Sequence, residues 1–263
     1  MKKAIVLVSF GTTHQDTREK TIDVLARDIK SRFPTFDVFQ SYTSSIVRKI
    51  VFRDEGIQFF HLNDLLDQLI TDGYEKIYLQ SSHIIGGFEY HKIQQAASKY
   101  RQLGHDIVVG SPLLSSYEDY QAVICWIKTQ AEMLGEQESL VFMAHGTNHP
   151  AFTSYVALDY MLSETAVYMA CVEGYPELEL IMTRLKARNY QRIRLFPFMF
   201  VAGDHAKNDM ASQKEGSWKT QLESNGFEVE AVVRGLGEVP EIRQLYVDHL
   251  AHLIDKDNEK DDR

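Results

Sequence analysis

Residues 141–150 read VFMAHGTNHP. An apolar run stops at His145-Gly146-Thr147, and His149 follows shortly after. An unbroken apolar run ended by glycine has the pattern of a strand buried on both faces of a parallel sheet. Near the N-terminus, LVSFGT (7–12) has the same outline as FMAHGT (142–147), with Gly11 matching Gly146 and Thr12 matching Thr147. A second ungapped match occurs in the same order. YEKIYLQSSHIIGG (74–87) against YQRIRLFPFMFVAG (190–203) aligns Tyr74 with Tyr190, Ile77 with Ile193, Leu79 with Leu195 and Gly87 with Gly203. Two matches in the same order read as an internal repeat.

Around these landmarks strands and helices alternate. KAIVLVSF (3–10), DVFQSYTS (37–44), KIYLQSSHII (76–85) and DIVVGSPLL (106–114) read as strands. They are separated by helical patterns over 14–33, 61–73 and 89–103, and a further one covers 117–134. After the polar GEQES (135–139) the order restarts with LVFMAH, AVYMACVE, RIRLFPFMF and FEVEAVV as strands, and VPEIRQLYVDHLAHLI (239–254) as the closing helix. Alternation of this kind builds mainly parallel sheets covered by helices. The expected fold is α/β, with two similar halves over 1–130 and 131–263, each a mainly parallel sheet flanked by helices. Ligands of such folds gather at the carboxyl ends of the strands, often between halves. The charged DKDNEKDDR (255–263) is expected to be a frayed tail.

Composition narrows the function. The formal net charge of −9, with no Lys/Arg cluster, argues against nucleic-acid binding. No apolar stretch is long enough to span a membrane. The N-terminal apolar run is short and lacks a small-residue cleavage site, so it reads as a strand rather than a signal peptide. Cys125 and Cys171 have no metal-type spacing and lie in apolar surroundings, which predicts reduced core residues and a cytoplasmic protein. Nothing in the sequence sets the oligomeric state, and a homo-oligomer stays open.

The polar residues at the strand ends carry the chemistry. LVFMAH delivers His145, AVYMACVE ends in Glu173, and the apolar run before Gly203 leads to His205. Two imidazoles and a carboxylate at one sheet edge suit a divalent first-row metal and leave coordination positions open. SSHIIGGFEY (81–90) adds His83 and Glu89 from the first half, and under the repeat Glu89 matches His205. SFGTT (9–13) lacks the spacing of a P-loop or a dinucleotide fingerprint, which argues against ATP and NAD. His149, just before Pro150, reads as a helix-start residue.

VSFGTTHQDTREKTI, QSSHIIGGFEY, VFMAHGTNHPAF, VEGYPELE, VAGDHAKNDMAS and GLGEVPEIR together resemble the anaerobic cobalt chelatases of cobalamin biosynthesis, class II chelatases related to the ferrochelatases. The resemblance runs from the first strand to the last helix. It implies a bilobal chelatase fold and ATP-independent insertion of Co²⁺ into sirohydrochlorin with release of two protons. It implies that His145, Glu173 and His205 bind the metal, that His145 also acts as the base, and that Glu89 faces the same cleft. Ser9, Phe10, Gly11, His83 and Glu89 are the candidate substrate-binding residues. Phe88 departs from the pattern, standing where a more polar residue is expected. A chelatase for Fe²⁺ or Ni²⁺ and a non-catalytic carrier of metal or tetrapyrrole are the alternatives, because this ligand set does not choose between metals.

Overall fold

The computed structural model describes residues 2–261. Strand β1 (Lys3–Ser9) is buried from Ala4 through Ser9. β2 (Asp37–Tyr42) and β3 (Lys76–Ser81) pair with it in parallel on either side, and β4 (Asp106–Val109) extends the sheet beyond β3, giving the order β2-β1-β3-β4. The second sheet is built alike. β5 (Glu138–Gly146) lies between β6 (Val167–Glu173) and β7 (Arg192–Phe198), and β8 (Glu228–Ala231) lies outside β7, in the order β6-β5-β7-β8, all parallel.

The register repeats as well as the order. Ile77 pairs with Ala4, and its counterpart Ile193 pairs with Ser139. Ala4 and Ser139 stand at the same distance before Gly11 and Gly146 respectively. A slip of one residue would turn every side chain to the wrong face, so the shared register reflects a shared hydrophobic pattern.

Helices cover both sheets. In the region read as one helix over 14–33 there are two, α1 (Gln15–Lys20) and α2 (Ile22–Arg32). They part at Thr21, where φ is −123° and ψ −83°, and where the side-chain hydroxyl donates to the Thr17 carbonyl at 2.6 Å. A β-branched hydroxyl residue that bonds back to the preceding turn bends a helix in this way. Between the second strand and residue 61 the sequence reading placed no element, yet α3 (Ser45–Glu55) is there. Ser44 caps it by accepting from the Val47 N–H, Gly56 ends it in the left-handed conformation at φ 71°, and Val47 and Val51 form its buried stripe. The remaining helices are α4 (Leu62–Thr71), α5 (Phe88–Gln102), α6 (Tyr117–Ala131), α7 (Thr153–Met161), α8 (Leu178–Ala187), α9 (Trp218–Ser224) and α10 (Pro240–Asp261).

α10 corrects the expected tail. The chain stays helical through Asp261, and residues 262–263 lie outside the described part. Asp257 explains the extension. It accepts a hydrogen bond from the Tyr78 hydroxyl at 2.8 Å and meets the Lys76 ammonium at 2.5 Å. Lys76 is 1 % exposed and also meets Asp106 at 3.1 Å. A buried ammonium needs anionic partners, and one of them is supplied by the end of this helix.

The chain forms two compact units. One holds the residues up to Ser115 together with those from Gly237 onward; the other is Ser116–Leu236. The single division expected at 130/131 differs from this at two helices. α6 follows β4 but belongs to the second unit, where Trp126 packs against Phe142 and Phe196. α10 follows β8 but belongs to the first, where the Tyr246 hydroxyl donates to the Ser82 carbonyl at 3.1 Å. Cys171 is buried, as expected, but Cys125 is exposed. It lies off the apolar stripe of α6, which buries Val123, Ile124, Trp126 and Ile127. Among the described residues no helix is long and apolar enough to cross a membrane.

Candidate functional site

Both central strands end in the same local device. Gly11 and Gly146 have φ of 95° and 79°, in the region that favours glycine. Thr12 and Thr147 then accept, through Oγ1, the N–H groups of His14 and His149 at 3.2 and 3.1 Å. His149 caps the following turn, its Nδ1 accepting from the Ala151 N–H at 3.1 Å, in agreement with its reading as a helix-start residue. At Gly146 a side chain is excluded twice over: besides the positive φ, a methyl group there would collide with the Glu173 carbonyl. The neighbouring Gly174, at φ 87°, lies against the Thr147 carbonyl in the same manner. The ends of β5 and β6 are thus pressed backbone to backbone.

This fastening presents His145, which is exposed at the end of β5 while the six residues before it are buried. His205 comes from the adjacent strand, β7, after the loop that follows Phe198. It opens one turn of π-helix, His205–Met210, whose Ala206 and Met210 are buried in the core of the second unit. The two imidazoles meet edge to face, with ring centroids 4.7 Å apart and planes at 89°.

Their hydrogen bonds define the tautomers. His145 Nδ1 lies 3.2 Å from the Gly146 carbonyl, and His205 Nδ1 lies 2.6 Å from Asp209 Oδ2. A carbonyl and a carboxylate can only accept, so each Nδ1 carries a proton, and whenever the ring is neutral its lone pair is on Nε2. A neutral imidazole nitrogen with a free lone pair is a ligand for first-row divalent cations and an acceptor for protons. Asp209 escaped the sequence reading. Its signal is only the i, i+4 spacing within HAKND, which has meaning once a helical turn is known to begin at His205.

Glu173 ends β6 at the same sheet edge and is exposed. In the register it pairs with Gly146, one residue beyond His145. The pleat therefore sends the Glu173 side chain off β6 on the opposite face from that of His145. Among the described residues, no three His, Cys, Asp or Glu side chains form a group that could hold a metal ion. The structure brings together the two histidines of the expected triad and leaves the carboxylate beside them on the adjoining strand end.

The first unit places the other candidates at the carboxyl edge of its own sheet. Ser9 is buried, and its hydroxyl accepts from Ser82 Oγ at 2.8 Å, so it serves the packing of β1 against the loop after β3. Phe10 is 50 % exposed, in the repeat position of His145. Phe88, at the first turn of α5, is exposed as well. His83 has Nδ1 at 2.8 Å from Ser81 Oγ, while its Nε2 is out of solvent without a hydrogen-bond partner among the described residues. Burial pushes its pKa down to about 4, which keeps the ring neutral. Glu89 is only partly exposed and forms an ion pair with Lys92. Burial is the largest single influence and works to raise its pKa, but hydrogen bonds from Lys92 and Thr43 together with the nearby Lys92 charge outweigh it and hold the carboxyl below its ordinary range.

Comparison with known proteins places this chain in a family. The chain is 40% identical to the sirohydrochlorin cobaltochelatase of Salmonella typhimurium over 257 residues, covering 97% of each chain. It is 30% identical to the sirohydrochlorin cobaltochelatase CbiKC of Nitratidesulfovibrio vulgaris, covering 96% of this chain and 91% of that one. Among solved structures, SirB from Bacillus subtilis with Fe³⁺ shares the fold with a TM-score of 0.64 at 12% identity, covering 96% of each chain. The sirohydrochlorin chelatase SirB from Bacillus subtilis subspecies spizizenii, in complex with cobalt, gives a TM-score of 0.60 at 13% identity, covering 96% of this chain and 95% of that one. The model of the cobalt chelatase family CbiK matches residues 3–255, and with a relative this similar over nearly its whole length, the chain belongs to that family.

Proposed function

We propose that this chain inserts Co²⁺ into sirohydrochlorin, releasing two protons and needing neither ATP nor NAD. The reaction exchanges two pyrrole protons for a dication. No electrons move and no bond to phosphate is broken, so the stoichiometry calls for no nucleotide. The observation that carries the reading is the facing pair His145 and His205, each with Nδ1 bonded to an acceptor, in a chain of the cobalt chelatase family.

In this reading His205 and His145 take the incoming cation through Nε2. Glu173, exposed on the adjoining strand end, swings its carboxylate toward the cation and offsets part of the positive charge. His145 is the base. A neutral imidazole can accept a proton near neutral pH: one pyrrole proton passes to Nε2 once the cation has left it for the ring, and the second passes to solvent. An open set of three ligands suits a metal that must leave, whereas a closed cage of four would hold it. Phe10, Gly11, His83 and Glu89, at the carboxyl edge of the first unit's own sheet, are the candidate residues for binding the tetrapyrrole, with Ser9 supporting the loop that carries Phe10. Sirohydrochlorin and the cation are the partners, and the site of action is the cytoplasm.

The test is the visible spectrum of sirohydrochlorin incubated with the purified protein and Co²⁺, Fe²⁺ or Ni²⁺. Multiple turnovers with Co²⁺ in the absence of nucleotide are expected. Binding of the ring without turnover would replace this reading with a carrier, and turnover with iron or nickel alone would move the chain to another metal.

A further inference from the structure

The π-turn at His205–Met210 holds a residue whose role the metal-binding reading does not assign. Ala206 and Met210 are fully buried and pin the turn to the core, while His205 and Asp209, each one position earlier, remain 42 % and 50 % exposed. The strong contact of Asp209 is the 2.6 Å bond to His205 Nδ1. An exposed carboxylate held this close to a ring nitrogen, on a turn anchored from beneath, orients the ring and selects its tautomer. Without it, the half-exposed imidazole could rotate about its side-chain bonds and place its proton on either nitrogen. A proton on Nε2 would remove the lone pair that faces the cation.

We infer that Asp209 is a positioning residue for cation capture, which holds His205 with its proton on Nδ1 and its Nε2 lone pair presented beside His145. The inference rests on the reading that His205 takes the cation. Carboxylates behind metal-binding imidazoles elsewhere contribute about 10- to 100-fold in metal affinity. His145 differs in this respect, because its Nδ1 is held by the carbonyl of the next residue, which no side-chain substitution removes.

The test measures Co²⁺ binding to the full-length protein without tetrapyrrole, by titration of the cobalt absorbance, in the parent, Asp209→Ala, Asp209→Asn and His205→Ala. Nitrogen-15 spectra of the histidine rings are recorded alongside. Asp209→Ala is expected to weaken Co²⁺ binding about 10-fold and to give His205 a mixture of tautomers. Asp209→Asn retains an oxygen that can accept from Nδ1, and is expected to restore part of both. Parental cobalt affinity and an unchanged His205 tautomer in both Asp209 variants, with His205→Ala impaired, would overturn the positioning role alone. Parental affinity in His205→Ala would overturn the metal-site reading beneath it.

Discussion

His145 and His205 stand 4.7 Å apart, centroid to centroid, though sixty residues of chain separate them. Parallel pairing of β5 with β7 brings them together, and the rings meet edge to face. Replacing His145 by Ala should lower cobalt insertion by at least about 100-fold, the contribution expected of a lost general base. Because the side chain is exposed, the unfolding midpoint should barely move. Near-parental turnover in the folded variant would remove His145 from the reaction.

Gly146 carries the shape of the site rather than its chemistry. Gly146→Ala must place a methyl group against the Glu173 carbonyl at a positive φ. A loss of about 2–3 kcal/mol or more in urea unfolding is expected, from strain together with displacement of the β6 end. Gly56→Ala also has a positive φ but meets open space, and should cost only about 1 kcal/mol. Equal losses at the two positions would mean that the packing of the strand ends contributes nothing.

The two cysteines should differ sharply towards alkylating reagents. Burial pushes the Cys171 thiol up to about 12, and its Sγ donates to the Tyr175 carbonyl at 3.5 Å, so it stays protonated and shielded at pH 8. Cys125 is exposed. Mass spectrometry after brief treatment with iodoacetamide should find Cys125 modified, and Cys171 modified only after denaturation.

His83 should leave a mark on the pH dependence of stability. Its pKa in the folded chain is about 4, against roughly 6.5 unfolded, so between these values the unfolded chain binds more protons. Stability therefore falls as pH drops from about 6.5 towards about 4, and is regained as pH rises through that window. His83→Gln should flatten this part of the profile, as read from urea midpoints at pH 7 and pH 5. An unchanged slope would place the titrating group elsewhere.

Asp257 tests whether the last turns of α10 are structural. Asp257→Ala would leave the buried Lys76 ammonium with Asp106 and deprive the Tyr78 hydroxyl of its acceptor. A cost of roughly 3 kcal/mol is expected, the low end for breaking a buried ion pair because one partner remains. A variant as stable as the parent would show that the end of the helix is not held by this pair.

Much of the fold is legible in residues 7–12 and 142–147. Strand-end glycines with positive φ, threonines that bond two residues ahead and a shared register all follow from a pattern visible in the letters. α3 was legible in principle, since Ser44, the Val47–Val51 spacing and Gly56 are ordinary start, stripe and stop signals. The break at Thr21 was less so, because one hydroxyl bonding back to Thr17 decides it against a continuous helical pattern. At the site, the two histidines could be anticipated because strand ends are countable. The facing of Glu173 depends on its register against Gly146, and the bond of Asp209 depends on a π-turn; no periodicity in the sequence reports either.

The exchange of α6 and α10 sets an order of events during synthesis. Everything the second unit requires, from Ser116 to Leu236, has been translated before the first unit receives its closing helix. The half that leaves the ribosome first is therefore the last to be completed, and it waits with Asp257, one of the acid partners of Lys76, still unmade. Ribosome-arrested chains ending shortly after Leu236 should resist protease across 116–236 while remaining open to cleavage within 1–115.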